Sequence, residues 1–87
     1  GTLWFGTEGK GLVRLLADET FDDFTEEDGL PNNIINYIVI DKRNIPWIAT
    51  NQGVAWFDGK KFNPVNELNG IVVNKILIDK YDCLWLA

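Results

Sequence analysis

Two carboxylates in this chain stand at the same distance from an indole. Asp41 precedes Trp47 by six positions in "IVIDKRNIPWIA", and Asp79 precedes Trp85 by six in "ILIDKYDCLWLA". Acids of this kind could serve as general acid and base, and indole faces could stack on a sugar ring. The two stretches are also near copies, since Ile38/Ile76, Ile40/Ile78, Asp41/Asp79, Lys42/Lys80, Trp47/Trp85 and Ala49/Ala87 coincide. A catalytic group is needed once, whereas a framework group recurs with its framework. Each Asp stands ahead of a turn, where a side-chain oxygen can accept backbone N–H groups. The expectation is therefore a structural role for both: Asp41 and Asp79 hold turns, and Trp4, Trp47 and Trp85 pack between successive repeats.

Other chemistry is sparse. The chain contains no His, Ser or Met, which removes the usual general base and the commonest hydroxyl nucleophile. The acidic stretch "DETFDDFTEEDG" holds Asp18, Glu19, Asp22, Asp23, Glu26, Glu27 and Asp28, but Phe24 breaks the alternating order of a calcium loop, so a solvated outer strand and loop is expected. Cys83 is alone, which rules out an intrachain disulfide. It stands where the other copy has Ile45, so a small buried apolar site is expected there. No catalytic residue, cofactor-binding residue or metal ligand is assigned. Trp56 stands where the first repeat has Arg14, outside the repeated framework, and is read as a surface-contact residue.

Thirteen acids against eight scattered bases give a net charge of −5, which lacks the dense positive stripe that nucleic acid binding wants. No run approaches the ~18 apolar residues of a membrane span, and no basic amphipathic period suggests membrane contact. The 46% hydrophobic and 13% aromatic content belongs to a folded chain. The absence of Met implies that Gly1 is not a native start and that this is a piece of a longer protein.

The elements that must position these residues repeat as well. "LWFGTEGKGLVRL" aligns with "PWIATNQGVAWF", setting Trp4 over Trp47, Thr7 over Thr50 and Gly11 over Gly53, and every length difference falls in a turn. Within one unit the period is two: "NYIVID", "PWIAT", "GVAWFD" and "KKFNPV" read as short strands, with "NQG" and Asp58-Gly59 as tight turns between them. Four short antiparallel strands in a unit of about 40 residues predict an all-β fold of β-propeller blades. The chain holds about two blades' worth: 1–26 as the last three strands of one blade, 27–69 as a complete blade and 70–87 as the first two strands of the next. Such an incomplete propeller leaves two outer faces bare, so neighbouring blades or self-association are the expected partners. A simple head-to-tail ring must displace one strand per junction, because "LWFGT" and "CLWLA" are the same strand.

"EDGLPNNIINYIVIDKRNIPWIATNQGVAWFDGKKF" resembles the repeat of the two-component regulator propellers, in its "GLPNN" lead-in, Asp41, "PWIAT", Gly53 and Phe62. Pro46 and Asn44 depart from the family's usual Leu and Gly. The resemblance implies a noncatalytic segment of a periplasmic sensor region, with a carbohydrate as a ligand of the parent, an inner-membrane anchor, and the histidine kinase core elsewhere in that parent. A propeller scaffold for protein partners is the alternative, and a fragment of a propeller lyase or glycosidase a more distant one.

Overall fold

The computed structural model describes residues 2–87. Nine short strands form three antiparallel sheets, so the all-β expectation and its inventory of three, four and two strands hold. The N-terminal sheet orders β1 (Leu3–Gly6), β2 (Leu12–Leu15) and β3 (Phe21–Phe24). The central sheet orders β4 (Ile35–Ile40), β5 (Pro46–Thr50), β6 (Gly53–Phe57) and β7 (Phe62–Pro64). The C-terminal sheet holds β8 (Ile76–Ile78) and β9 (Leu84–Leu86).

Turn chemistry sets the register. Between β5 and β6 the Thr50 hydroxyl donates to the Gly53 carbonyl at 2.9 Å, and between β1 and β2 the Thr7 hydroxyl donates to the Gly11 carbonyl at 2.6 Å. The extra residue of the first turn is thus absorbed inside a loop closed by the same Thr–Gly pair. Asp58 turns β6 into β7 by accepting the amides of Lys60 and Lys61 at 2.9 and 3.0 Å. The longer connections carry short 3₁₀ helices at Glu26–Asp28 and Asn66–Leu68, where the sequence pattern suggested only turns. Thr25 caps the first through a capping box with Asp28, a device that satisfies otherwise orphaned amides. The acidic stretch forms an outer strand and loop with Asp18, Glu19, Asp23, Glu26 and Glu27 exposed, while Phe24 is buried and Asp22 pairs with Arg14.

Strand alternation gives each sheet two faces, and both faces of the central sheet are dry. Toward the N-terminal sheet it presents Ile48, Ala55, Phe57 and Phe62, which cluster with Leu12, Phe24 and the half-buried Trp4. Toward the C-terminal sheet it presents Ala49, Val54 and Trp47, which pack with Val73, Ile76 and Ile78. Among the described residues each outer sheet packs against the central sheet alone. Leu3, Phe5 and Phe21 are exposed on one, Leu77 and Trp85 on the other.

Two expectations fail for this reason. Cys83 is exposed instead of buried, and Trp85 is 62% exposed instead of wedged between sheets. Their counterparts Ile45 and Trp47 are covered by neighbouring elements; the C-terminal sheet has no such cover among the described residues.

Gly29 and Gly59 have nearly the same backbone, with φ of 102° and 105°, but different surroundings. A methyl group on Gly29 would collide with the Phe62 carbonyl oxygen, whereas one on Gly59 would meet open space. Both Ala substitutions pay for the left-handed conformation, about 1 kcal/mol. Gly29→Ala must also push β7 aside, so its urea midpoint should fall by at least twice as much as that of Gly59→Ala. Equal losses in equilibrium unfolding would remove the steric argument.

Candidate functional site

The Asp–Trp spacing is resolved by a three-point clamp. Asp41 Oδ1 accepts the amides of Arg43 and Ile45 at 2.8 and 2.9 Å, while Oδ2 accepts the Trp47 indole N–H at 3.0 Å. Asp79 repeats this with Tyr81 at 2.8 Å, Cys83 at 3.0 Å and the Trp85 indole at 3.0 Å. One carboxylate therefore closes the turn with one oxygen and fixes the indole's rotamer with the other. The indole bond is what sequence reasoning missed, although the constant six-residue interval was its signal. Each turn also needs a residue in left-handed conformation, supplied by Asn44 with φ 67° and Asp82 with φ 63°. Asn and Asp tolerate that region better than other side chains, which accounts for Asn44 and Asp82 at these positions.

The indoles serve packing in different degrees. Trp47 is half-buried against the cluster shared with β8. Trp4 lies across the other junction, its ring centroid 5.3 Å from Phe57, 5.8 Å from Phe24 and 6.1 Å from Phe62. The edge-to-face angles of 69° and 82° to Phe57 and Phe62 set positive ring edge against negative ring face. The Trp4 indole nitrogen donates to none of the described residues. Gly11 and Gly53 lie buried at the ends of the Thr-closed turns, with φ of 86° and 130°.

The residues facing the indoles across the strands differ between sheets. Arg14 is opposite Trp4, and Trp56 is opposite Trp47. The Arg14 guanidinium lies 5.5 Å from the Trp4 ring centre and 5.3 Å from those of Phe24 and Phe57, with its Nε donating to Asp22 at 3.1 Å. Trp56 is half-buried, its ring 6.4 Å from that of Trp47. A cleft of about 750 Å³ opens between the N-terminal and central sheets, lined by Trp4, Arg14, Pro46, Trp56, Phe57 and Asp58 among others. Its volume lies within the range of small-molecule sites. Aromatic walls, one pinned cation and one turn carboxylate can hold a polar, ring-shaped ligand.

Hydrogen-bond donors keep three turn carboxylates in their ionised form. Burial opposes the charged form of Asp41, but the hydrogen bonds from the Trp47 indole and the Ile45 and Arg43 amides outweigh it and lower its pKa. The Trp85 indole and the Cys83 and Tyr81 amides lower that of Asp79. The Lys61 amide, the Asn63 side chain and the Lys60 amide bring Asp58 down to about 2. Carboxylates kept ionised by donors are poor general acids at neutral pH. Among the described residues, no group of three or more His, Cys, Asp or Glu converges on a metal-sized site. Neither a protein-family model, nor a curated protein, nor a solved structure matches this chain.

A carboxylate whose pKa is lower folded than unfolded binds more protons when unfolded, so its contribution is complete above the unfolded value and lost as pH falls through the folded one. The urea midpoint should be flat above about pH 5, given an unfolded carboxylate value near 3.9, and should drop as pH falls toward 2. Asp41→Ala should destabilise by about 2 kcal/mol at pH 7, because it strips three donors of one largely buried acceptor. Asp79→Ala, on an exposed clamp, should cost clearly less in the same unfolding series. A flat acid limb, or equal losses for the two variants, would count against the clamp as a source of stability.

Proposed function

We propose that the three sheets are successive blades of a β-propeller, and that the chain is a noncatalytic part of a sensor region in a hybrid two-component system. The carrying observation is the repeated junction: Trp4 of one sheet is set against Phe57 and Phe62 of the next, and Trp47 of that sheet against the cluster holding Ile76 and Ile78. Stacking that buries each sheet between two others is the requirement of a blade, and strand number and connection fit it. The sensing role, the periplasmic setting and the kinase elsewhere in the parent are supported by the resemblance of the "GLPNN" to "PWIAT" segment.

The cleft between the N-terminal and central sheets is where a ligand would be read, and a glycan fragment is the class that suits it. Sugar rings present apolar C–H faces to indoles and hydroxyls to Arg14 and Asp58. The framework carboxylates are committed to turns, which leaves detection rather than turnover as the task of this segment. Exposed apolar faces give the scaffold alternative its support, since contiguous apolar surface marks protein contacts.

Titrating the chain with a panel of neutral and acidic oligosaccharides, read by tryptophan fluorescence and by release of reducing ends, tests this. Binding without product is expected, and Arg14→Ala should weaken it at least about tenfold if the guanidinium anchors the ligand. Product formation would revive a lyase or glycosidase; no binding across the panel would leave the cleft unexplained and remove the glycan reading.

A further inference from the structure

Three dipeptides in the connections set glycine after an acid or its amide: Asp28-Gly29, Asp58-Gly59 and Asn69-Gly70. At such pairs a chain can close on itself, because the glycine nitrogen can attack the preceding side-chain carbonyl carbon to form a cyclic imide. Glycine has no Cβ to obstruct that approach. The three pairs differ in their electrophiles. Asp28 accepts the Thr25 amide at 2.9 Å within the capping box. Asp58 accepts the Lys60 and Lys61 amides and the Asn63 side chain, which keep it ionised. An ionised carboxylate offers no leaving group, whereas the carboxamide of Asn69 is neutral and can release ammonia.

The fold restrains this third pair through the main chain. Asn69 ends the 3₁₀ helix Asn66–Leu68, its amide donating to the Asn66 carbonyl at 3.2 Å. Gly70 follows with φ 83° and donates its own amide to the Gln52 carbonyl at 2.9 Å. Ring closure needs that nitrogen eclipsed with Asn69 Cβ, which the Asn69 ψ of 133° does not give, and needs its N–H released. Both conditions are met once Gly70 leaves Gln52 and the Cα–C bond of Asn69 turns. Only a connection moves: the Val73 amide can stay on the Thr50 carbonyl and the Asn36 side chain on the Val73 carbonyl. Openings of this local kind cost less than global unfolding.

We propose that Asn69-Gly70 is a self-modification site, at which the chain deamidates whenever the hydrogen bond from Gly70 to Gln52 opens. The Gly70 nitrogen bonds to Asn69 Cγ, the bond from Cγ to the side-chain nitrogen breaks, and the proton lost by Gly70 departs with that nitrogen as ammonia. Water then opens the imide at either carbonyl and returns a hydrogen to the Gly70 nitrogen, leaving aspartate or isoaspartate at this position. The product alters a seam inside the chain. Asn69 and Gly70 border a recess of about 380 Å³ with Glu26, Pro31, Gln52 and Pro64, where the two longer connections meet. A new carboxylate joins Glu26 there, and the isoaspartyl form lengthens the main chain by a methylene and draws Gly70 away from Gln52. This connection carries the chain from the central sheet to β8, so the C-terminal sheet should be held less firmly after conversion. The chemistry belongs to the connection and is independent of the sensing role.

Folded chain and chain in guanidinium chloride, kept in parallel at mildly alkaline pH, give the test. Cleavage after Lys61 and Lys75 releases residues 62–75, in which Asn63, Asn66 and Asn74 precede Pro64, Glu67 and Lys75 and serve as internal standards. Pro lacks the attacking N–H, and the side chains of Glu and Lys obstruct it. Mass spectrometry of this peptide should find conversion at Asn69 ahead of the standards, in aspartyl and isoaspartyl forms. The folded chain should convert at least about fivefold more slowly than the unfolded one, as release of one hydrogen bond implies. Aged chain should also have a lower urea midpoint than fresh chain, while Asn69→Gln, whose longer side chain closes the corresponding ring more slowly, should keep its midpoint on ageing. Folded conversion no faster at Asn69 than at Asn66 or Asn74, equal rates folded and unfolded, or an equal ageing loss in Asn69→Gln would each overturn the assignment.

Discussion

A sheet that is apolar on both faces stays dry only between two others, and the central sheet of this chain meets that condition. Ile48, Ala55, Phe57 and Phe62 look one way, Ala49, Val54 and Trp47 the other, and each set meets residues of a different sheet. Hydrophobic stabilisation grows with the apolar area taken from water, so the central sheet receives it twice and each outer sheet once. The gradient in burial across the chain follows. Thr50 and Ile48 are fully buried, whereas β9, the counterpart of β5 in the repeat, is exposed along its length.

The clamp links this stacking to the turns. An indole wedge works only if its ring is held at one angle, and Asp41 supplies that hold while closing the turn behind it. The two oxygens of one carboxylate thus couple local chain reversal to the contact between sheets. A second tie spans successive turns: Lys42 Nζ donates to the Lys80 carbonyl at 2.7 Å, bringing the two Asp-containing turns into register. Ridged contacts held by polar pins specify one arrangement of sheets where apolar faces alone would allow sliding.

Much of this was legible in the sequence because the repeat carries the pattern twice. Strand alternation, the Asp58-Gly59 turn and the three, four and two strands follow from period and turn chemistry. The interval between Asp and Trp was legible as a recurrence, but its cause was not, since a spacing does not say which donor reaches which oxygen. Cys83 and Trp85 were misread for one reason: burial was inferred from their counterparts Ile45 and Trp47, whose cover comes from a further sheet. Residue type transfers between repeats; environment transfers only when the neighbours do. The 3₁₀ helices escaped notice because three residues are too few to show a helical period.

What the repeats share and where they differ divide the labour of the chain. The Asp–Trp clamp recurs in the central and C-terminal sheets and the Thr–Gly turn in the N-terminal and central ones, so these residues carry the framework. Positions that differ between repeats can give each sheet its own surface. The pair opposite the indoles is such a position, with Arg14 pinned by Asp22 in one sheet and Trp56 against Trp47 in the next. Both residues border the cleft between the first two sheets, Arg14 with its side chain against Trp4 and Phe57 and Trp56 with its ring against Trp47. Rigid, repeated contacts below and variable side chains at the mouth are the arrangement by which a fixed scaffold acquires a specific surface.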